Sequence, residues 1–347
     1  PWLFTIFFFT LELWLLIEAC ERQRVVWLVP VAPLLALWAN LHIEFVLGLG
    51  LIGLFALQQM IPAPSKWAFG SGLPGRHLPA AWLWGLLAAS CTATLANPYG
   101  WRLYEVVADY STQKAPLQVV SEMQPISFRN FTEWATLLLV CGGWFALGTL
   151  RKRPALLLIL LAVSCWFGFR AQREVWFPIL TSTLIIAYRS RETDSEKHPF
   201  PRSYWAVTAA TTGLFTVAVF GGATRPNSEL QKAVGEHYPA AASAFVESHA
   251  MHGPLYNSYQ WGGYLSWRLP NMPVSIDGRA NLHGDDRIFR SVRTGFAGRD
   301  WAEDQEFRKA KTIILEDDSP LASVLRSDRR YRLLYEDKVA SVFEPAQ

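Results

Sequence analysis

The segment Val119-Val120-Ser121-Glu122-Met123-Gln124-Pro125 lies in the longest polar interval between the apolar stretches of the chain. The interval, residues 97–133, begins with the turn-forming sequence Asn97-Pro98-Tyr99-Gly100 and carries the carboxylate of Glu122. A loop of this length is usually either functional or disordered, and its aromatic content argues against disorder. The Glu122 loop is therefore the first candidate for a functional site.

The composition of the chain changes at about residue 222. Of the 347 residues, 51% are hydrophobic, including 16 Trp and 21 Phe, and 18% are charged. Repeated apolar runs fill the first part, whereas residues 223–347 have the composition of an ordinary soluble domain. A net charge of +3 gives no reason to expect nucleic acid as a partner. We therefore predict two parts, a membrane domain of residues 1–222 and a soluble α/β domain of residues 223–347.

The apolar stretches predict a multi-span α-helical membrane protein. A bilayer core about 30 Å thick requires ~20 apolar residues per helix, and fewer where a helix is short or broken. By that rule we expect about eight transmembrane helices, at residues 2–19, 25–40, 43–61, 79–96, 134–150, 154–169, 174–188 and 204–222.

The basic residues between these stretches predict the orientation of the chain. Eleven Lys or Arg lie in the first, third, fifth and seventh intervals, and five lie in the others. Because Lys and Arg accumulate in cytoplasmic loops, we expect residues 97–133, 170–173 and 223–347 on the extracytoplasmic side. The expected location is a bacterial inner membrane with a periplasmic C-terminal domain.

Polar side chains within apolar stretches need a partner or a function, because hydrocarbon does not solvate them. For Glu12, in the first stretch, pairing and a functional role both remain open. Asn40, His42 and Glu44 cluster at the turn between the second and third stretches, as helix caps or as site residues. The glycine pattern of residues 48–53 predicts close helix packing, because no strand precedes it.

Arg170 and Arg173 occupy a very short interval between two apolar stretches. An arginine there is costly unless its guanidinium reaches water, a carboxylate or a phosphate. Extension of the side chain to the interface is one interpretation. The other is a clamp for the phosphate of a lipid-linked substrate, because the guanidinium fork matches phosphate oxygens.

The pattern after residue 223 predicts a small sheet with flanking helices. We expect helices at residues 238–249, 285–292, 302–309 and 319–325, and extended segments at residues 254–258, 273–276, 311–315, 331–335 and 339–343. The acidic pairs and triplets of this part are expected to be solvated helix caps and loop ends.

The order of these features resembles the C-terminal two-thirds of the membrane glycosyltransferases of the GT-C superfamily, and within it the catalytic subunit of oligosaccharyltransferases. The segment of residues 119–125 is similar to the Ser-Val-Ser-Glu-His-Gln-Pro type motif of their long loop. Residues 258–264 and Ile276-Asp277-Gly278 stand where that family has Trp-Trp-Asp-Tyr-Gly and a following strand. Since the chain begins at Pro1 inside an apolar run, we expect the N-terminal part of such a protein to be missing.

The resemblance implies roles for particular residues. Glu122 would be the catalytic carboxylate that helps to hold a divalent cation, Mg²⁺ or Mn²⁺, and orients the acceptor. Arg173, or Arg170, would contact the phosphate of a polyprenyl-linked sugar donor. The remaining positions that the resemblance implies for substrate binding are Gln124, Tyr259, Trp261, Tyr264 and Asp277.

The chain also departs from that family. Its motif reads Tyr259-Gln260-Trp261, without the aspartate, and no stretch matches the early loops that carry the family's catalytic aspartates. One glutamate does not hold a catalytic metal ion alone, so this stretch by itself is expected to be inactive. The interpretations that remain are a sugar transferase, a transporter of a lipid-linked precursor, and a non-catalytic membrane subunit with an extracytoplasmic binding domain.

Overall fold

The computed structural model describes residues 2–60, 78–150, 155–193 and 226–346, together with a few positions between 206 and 217. It divides into two compact units. Unit 1 comprises Pro1–Thr112 and Leu117–His198, and unit 2 comprises Gln113–Pro116 and Pro199–Gln347.

Unit 1 is helical throughout its described part. Its long helices are α1 (Trp2–Arg22), α2 (Val31–Leu41), α3 (Phe45–Met60), α4 (Ala80–Ala93), α5 (Arg102–Thr112), and, after the short α6 (Ala115–Val119), α7 (Phe131–Thr149), α8 (Ala155–Arg170) and α9 (Trp176–Thr193). Three 3₁₀ turns join them, at Val25–Leu28, Ser121–Met123 and Gln172–Glu174. The last two turns matter most here, because they carry Glu122 and Arg173.

The prediction of about eight transmembrane helices is wrong. Among the described residues, only α1, with 21 residues, and α7, with 19, are long and apolar enough to cross a membrane. The other apolar helices have 10–17 residues, and at ~1.5 Å per residue they are shorter than a bilayer core of ~30 Å. The prediction counted apolar runs without requiring one continuous helix, and its eighth stretch, 204–222, lies largely outside the described residues.

Small residues allow the helices of unit 1 to approach closely. A Cβ atom on Gly143 of α7 would lie 2.8 Å from the Ser182 side chain on α9. A Cβ atom on Gly168 of α8 would lie 2.5 Å from Pro178 Cγ, also on α9. The packing of α7 and α8 on α9 therefore requires glycine at positions 143 and 168, as in other closely packed helix pairs.

Unit 2 contains a four-stranded sheet with the order β1-β2-β4-β3. The strands are β1 (Leu255–Asn257), β2 (Thr312–Glu316), β3 (Tyr331–Glu336) and β4 (Ala340–Pro345), and the predicted strands at these four places are confirmed. β1 pairs with β2 in parallel, and β4 pairs antiparallel with β2 and β3. Successive side chains of β2 point to opposite faces of the sheet, since Ile314 belongs to one buried cluster and Ile313 to the other.

Helices cover both faces of this sheet. They are α10 (Asn227–His237), α11 (Ala240–Ser248), α12 (Gly262–Arg268), α13 (Ala280–Gly295), α14 (Gln305–Lys309) and α15 (Pro320–Ser327). All four predicted helices of this part are confirmed, although their ends differ by several residues. Within unit 2, the carboxylate of Asp285 also accepts backbone N–H groups from Lys114 and Ala115 at the start of α6.

Candidate functional site

Arg173 is the centre of a polar group within unit 1. Its Nη1 lies 3.3 Å from Glu122 Oε1 and its Nη2 lies 3.3 Å from His42 Nε2. The guanidinium also stands over the indole ring of Trp2, at 5.6 Å from the centroid. Only 21% of the arginine side chain is exposed, compared with 61% of the Glu122 side chain. One charged partner of Arg173 is therefore in solvent, while the arginine itself is mostly enclosed.

The backbone explains how Glu122 and Arg173, which are 51 positions apart in the sequence, come into contact. The turn Gln172–Glu174 joins α8 to α9. Gly168, just before the turn, and Pro178, just after it, are in close contact. The turn Ser121–Met123 is held against it by a hydrogen bond from Gln172 N–H to the carbonyl of Gln124, at 2.9 Å. Both side chains therefore start from fixed backbone, which brings the Glu122 carboxylate next to the Arg173 guanidinium.

The contact between Arg173 and His42 determines the tautomer of the imidazole. A guanidinium only donates hydrogen bonds, so His42 Nε2 is the acceptor and Nδ1 carries the proton. His42 Nδ1 then donates to the hydroxyl of Thr5, at 2.8 Å, and Trp38 Nε1 donates to the same hydroxyl, at 3.1 Å. Burial, and secondarily the charge of Arg173, lower the pKa of His42 to about 4. The imidazole is therefore neutral at physiological pH.

Two further carboxyl groups, those of Glu44 and Glu174, complete the group. Burial raises the pKa of Glu44, and the neighbouring Glu174 raises it further. Burial also raises the pKa of Glu174, whereas Arg173 and the indole N–H of Trp176, at 3.2 Å, oppose that rise. The two carboxyl groups also act on each other, in the direction that raises the pKa of Glu44 and lowers that of Glu174. Glu44 therefore holds its proton more tightly than an exposed glutamate does.

Tyr110 of α5 lies beside these charges. Burial raises the pKa of its hydroxyl, and Arg173, Glu44, Glu174 and Glu122 each act on it electrostatically. We call the whole group the Arg173 cluster, which consists of Thr5, His42, Glu44, Tyr110, Glu122, Arg173 and Glu174. Thr5, Tyr110 and Glu174 were not predicted as site residues. The signal for Glu174 was a carboxylate at the first position of the predicted stretch 174–188, directly after Arg173.

The described part of the chain does not offer a set of metal ligands. Within it, no three or more His, Cys, Asp or Glu side chains are grouped so that they could hold a metal ion. The Mg²⁺ or Mn²⁺ ion predicted at Glu122 stays a prediction, and the charge that faces solvent here is that of the Glu122 carboxylate.

The other predicted residues of unit 1 lie beside the cluster or away from it. Arg170 is exposed and stacks on Trp166, at 5.0 Å from the ring centroid. The side chain of Gln124 donates to the carbonyl of Leu117, at 3.0 Å. Gln124 thus supports the conformation of the loop, while Arg173 is the arginine that contacts Glu122.

The predicted residues of unit 2 surround the turn before α12. Tyr259 begins the 3₁₀ turn Tyr259–Trp261, and the Trp261 side chain is buried, with its Nε1 donating to the carbonyl of His237 at 3.1 Å. A Cβ atom on Gly262 would lie 2.0 Å from the carbonyl oxygen of Ile276. The first glycine of this turn therefore serves backbone packing. Tyr264 lies between the rings of Tyr238 and Trp267, at 5.1 and 5.9 Å.

The carboxylate of Asp277 is held in place by hydrogen bonds. Its carboxylate accepts hydrogen bonds from the backbone and guanidinium of Arg279 and contacts His283 Nε2 at 3.0 Å. These hydrogen bonds, above all those from Arg279, hold the pKa of Asp277 well below its usual range. The Asp277 side chain is 7% exposed, whereas that of Arg279 is 69% exposed. The aspartate therefore positions an arginine at the surface of unit 2.

No protein-family model matches the chain, and no curated protein matches it either.

Proposed function

We propose that the Arg173 cluster binds the phosphate of a polyprenyl-phosphate-linked sugar and that the protein transfers this sugar to an acceptor. The observation that carries the proposal is the mostly enclosed guanidinium of Arg173, whose only described carboxylate partner within salt-bridge distance is the exposed Glu122. An exposed ion pair of this kind contributes about 0–1 kcal/mol. A phosphate, which accepts two parallel hydrogen bonds from a guanidinium, competes well for such an arginine.

The same cluster contains a group that could accept the proton of the acceptor. In the transfer step, the acceptor oxygen or nitrogen bonds to the anomeric carbon while the bond from that carbon to the phosphate oxygen breaks. The electron pair leaves with the phosphate, whose charge Arg173 stabilises. The acceptor proton passes to the carboxylate of Glu174, next to Arg173. Glu122, at the exposed edge, orients the acceptor.

We infer an extracytoplasmic location for the cluster from α1. This helix is one of the two candidate membrane spans, and Arg22 and Arg24 lie at its C-terminal end. The positive-inside rule favours that end in the cytoplasm. Trp2 and Thr5, near the opposite end, contact the cluster. The proposed site would then face the periplasm of a bacterial inner membrane.

The proposal is tested by sugar transfer from a synthetic polyprenyl-phosphate sugar, with the full-length protein in lipid vesicles. Glu174→Gln removes the proposed proton acceptor and keeps the shape of the side chain, so we expect transfer to fall at least ~100-fold, the usual contribution of a positioned acid–base group. Arg170→Gln is the control and should retain activity, because Arg170 contacts Trp166. Equal activity of the Glu174→Gln variant and the unchanged protein would refute the assigned acid–base role.

A non-catalytic subunit that binds the lipid-linked precursor is the second candidate. It is favoured by the finding that the described residues contain no grouped metal ligands. It predicts that the unchanged protein binds the polyprenyl phosphate, that binding depends on Arg173, and that no transfer is detected with any acceptor. Transfer by the unchanged protein would rule this candidate out.

A further inference from the structure

Glu12 is a fully buried carboxyl group outside the Arg173 cluster. It lies in the middle of α1, its exposure is 0%, and neither of its carboxyl oxygens has a hydrogen-bond partner within the described part of the chain. A buried polar group without a partner is rare in native proteins and calls for a specific explanation.

The packing around Glu12 leaves a place for its carboxyl group. A Cβ atom on Gly48 of α3 would lie 2.4 Å from Glu12 Oε2, 2.7 Å from Leu35 Cδ2 and 2.9 Å from Trp38 Cζ3. The absence of a side chain at Gly48 therefore creates the space that the carboxyl group fills between α1, α2 and α3. The close helix packing predicted for the glycine pattern of residues 48–53 is confirmed at Gly48 alone, because a Cβ atom on Gly50 or Gly53 would meet no described atom within 4 Å.

No hydrogen bond from a described residue brings a positive charge to the Glu12 carboxyl group. The other atoms nearest to the Gly48 position, which Glu12 Oε2 adjoins, belong to the apolar side chain of Leu35 and the indole ring of Trp38, both on α2. The closest titratable side chains at the junction of these helices, His42 and Glu44, belong to the Arg173 cluster. Trp38 links this cluster to the Glu12 region. Its Nε1 donates to Thr5 of the cluster, and its Cζ3 lies beside the Gly48 position. An ionised carboxylate in such surroundings would be strongly unfavourable.

We propose that Glu12 is a proton-binding site of the helix bundle, occupied at neutral pH, and that the bound proton keeps α1 packed against α3. The proposal does not depend on the function proposed for the Arg173 cluster. Loss of the proton would place an unpaired negative charge between α1, α2 and α3. The bundle should therefore loosen as the pH rises, which makes Glu12 a device that senses alkaline pH.

Infrared difference spectroscopy of the full-length protein in lipid vesicles reads the protonation state directly. The spectrum of the Glu12→Gln variant is subtracted from that of the unchanged protein at about pH 7. We expect the difference to contain the C=O stretching band of a carboxylic acid. A carboxylate stretching band in its place would overturn the proposal. Glu12→Met provides a second subtraction if the glutamine variant does not accumulate.

The coupling to packing is tested by thermal unfolding between about pH 6 and about pH 9. A carboxyl group that binds its proton more tightly in the folded state stabilises the fold at low pH and loses that contribution as the pH rises. We therefore expect the unfolding temperature of the unchanged protein to fall more steeply with pH than that of the Glu12→Gln variant. The same measurement on Glu44→Gln gives the part of the pH dependence of the unfolding temperature that comes from the Arg173 cluster. Equal slopes for the unchanged protein and Glu12→Gln would show that the proton does not support the packing.

Discussion

His42 Nε2 accepts a hydrogen bond from Arg173 Nη2 at 3.3 Å, and this contact joins the end of α2 to the turn before α9. A neutral imidazole serves as the acceptor, whereas an imidazolium would carry a proton at that position and repel the guanidinium. The position of Arg173 in the cluster therefore depends on the protonation state of His42.

The pH dependence of stability should report this arrangement. Because the pKa of His42 is lowered to about 4 in the folded state, against ~6.5 in an unfolded chain, the unfolded state binds more protons between these values. The contribution of His42 to stability is therefore complete above about pH 6.5 and is lost as the pH falls toward 4. Thermal unfolding at a series of pH values should show that His42→Gln removes part of this acid loss. An unchanged acid profile in the variant would contradict the buried neutral imidazole.

Glu122→Gln should separate donor binding from transfer. Removing the carboxylate frees Arg173 from its exposed partner, so a polyprenyl phosphate should bind as well as before or more tightly. Sugar transfer should be abolished, because the acceptor is no longer oriented, while the amount of protein in the membrane stays the same. Equilibrium binding and initial transfer rates, measured on the same vesicles, test both parts. Unchanged transfer would show that Glu122 has no part in the reaction.

Gly168→Ala should displace the turn that carries Arg173. The added Cβ would lie 2.5 Å from Pro178 Cγ and 3.2 Å from the carbonyl oxygen of Glu174, so we expect a loss of about 1–3 kcal/mol in the free energy of unfolding. Gly85→Ala in α4 is the matched control. Its Cβ would meet no atom within 4 Å, and alanine should stabilise that helix by up to ~1 kcal/mol. Chemical denaturation of both variants in detergent provides the comparison, and equal stability would contradict the close contact.

Asp277→Asn should destabilise unit 2, because it weakens the hydrogen bonds to Arg279 and His283. We expect a loss of about 1–3 kcal/mol, the usual effect of removing one partner from a buried polar group. Asp328 offers a control, since its carboxylate holds Arg330 in the same way, with a contact of 2.6 Å in both pairs. Asp328 has no described histidine partner and its side chain is more exposed, so Asp328→Asn should cost less. Thermal unfolding of the full chain tests the order of the two effects.

Local patterns in the sequence predicted some features and failed for others. The strands of unit 2 followed from short apolar runs such as the one that contains Ile313 and Ile314, because a run of neighbouring β-branched residues is a local signal of a buried strand. The number of membrane spans was wrong, because apolar composition did not reveal where a helix such as α4 begins and ends. The sequence indicated Arg173, His42 and Glu44 separately. Their contact, and the involvement of Glu174 and Tyr110, depend on the packing of distant helices, which no local pattern contains.

The most direct test of the central claim is equilibrium binding of a short-chain polyprenyl phosphate, without sugar, to the full-length protein in detergent. We compare the unchanged protein with Arg173→Lys, which keeps the positive charge but loses the guanidinium fork, and with Arg170→Lys as the control. The account predicts that Arg173→Lys raises the Kd at least ~10-fold, equivalent to one lost charge-assisted hydrogen bond, and that Arg170→Lys leaves it unchanged. Equal affinity of the unchanged protein and Arg173→Lys, or a larger loss in Arg170→Lys, would contradict the phosphate site at Arg173.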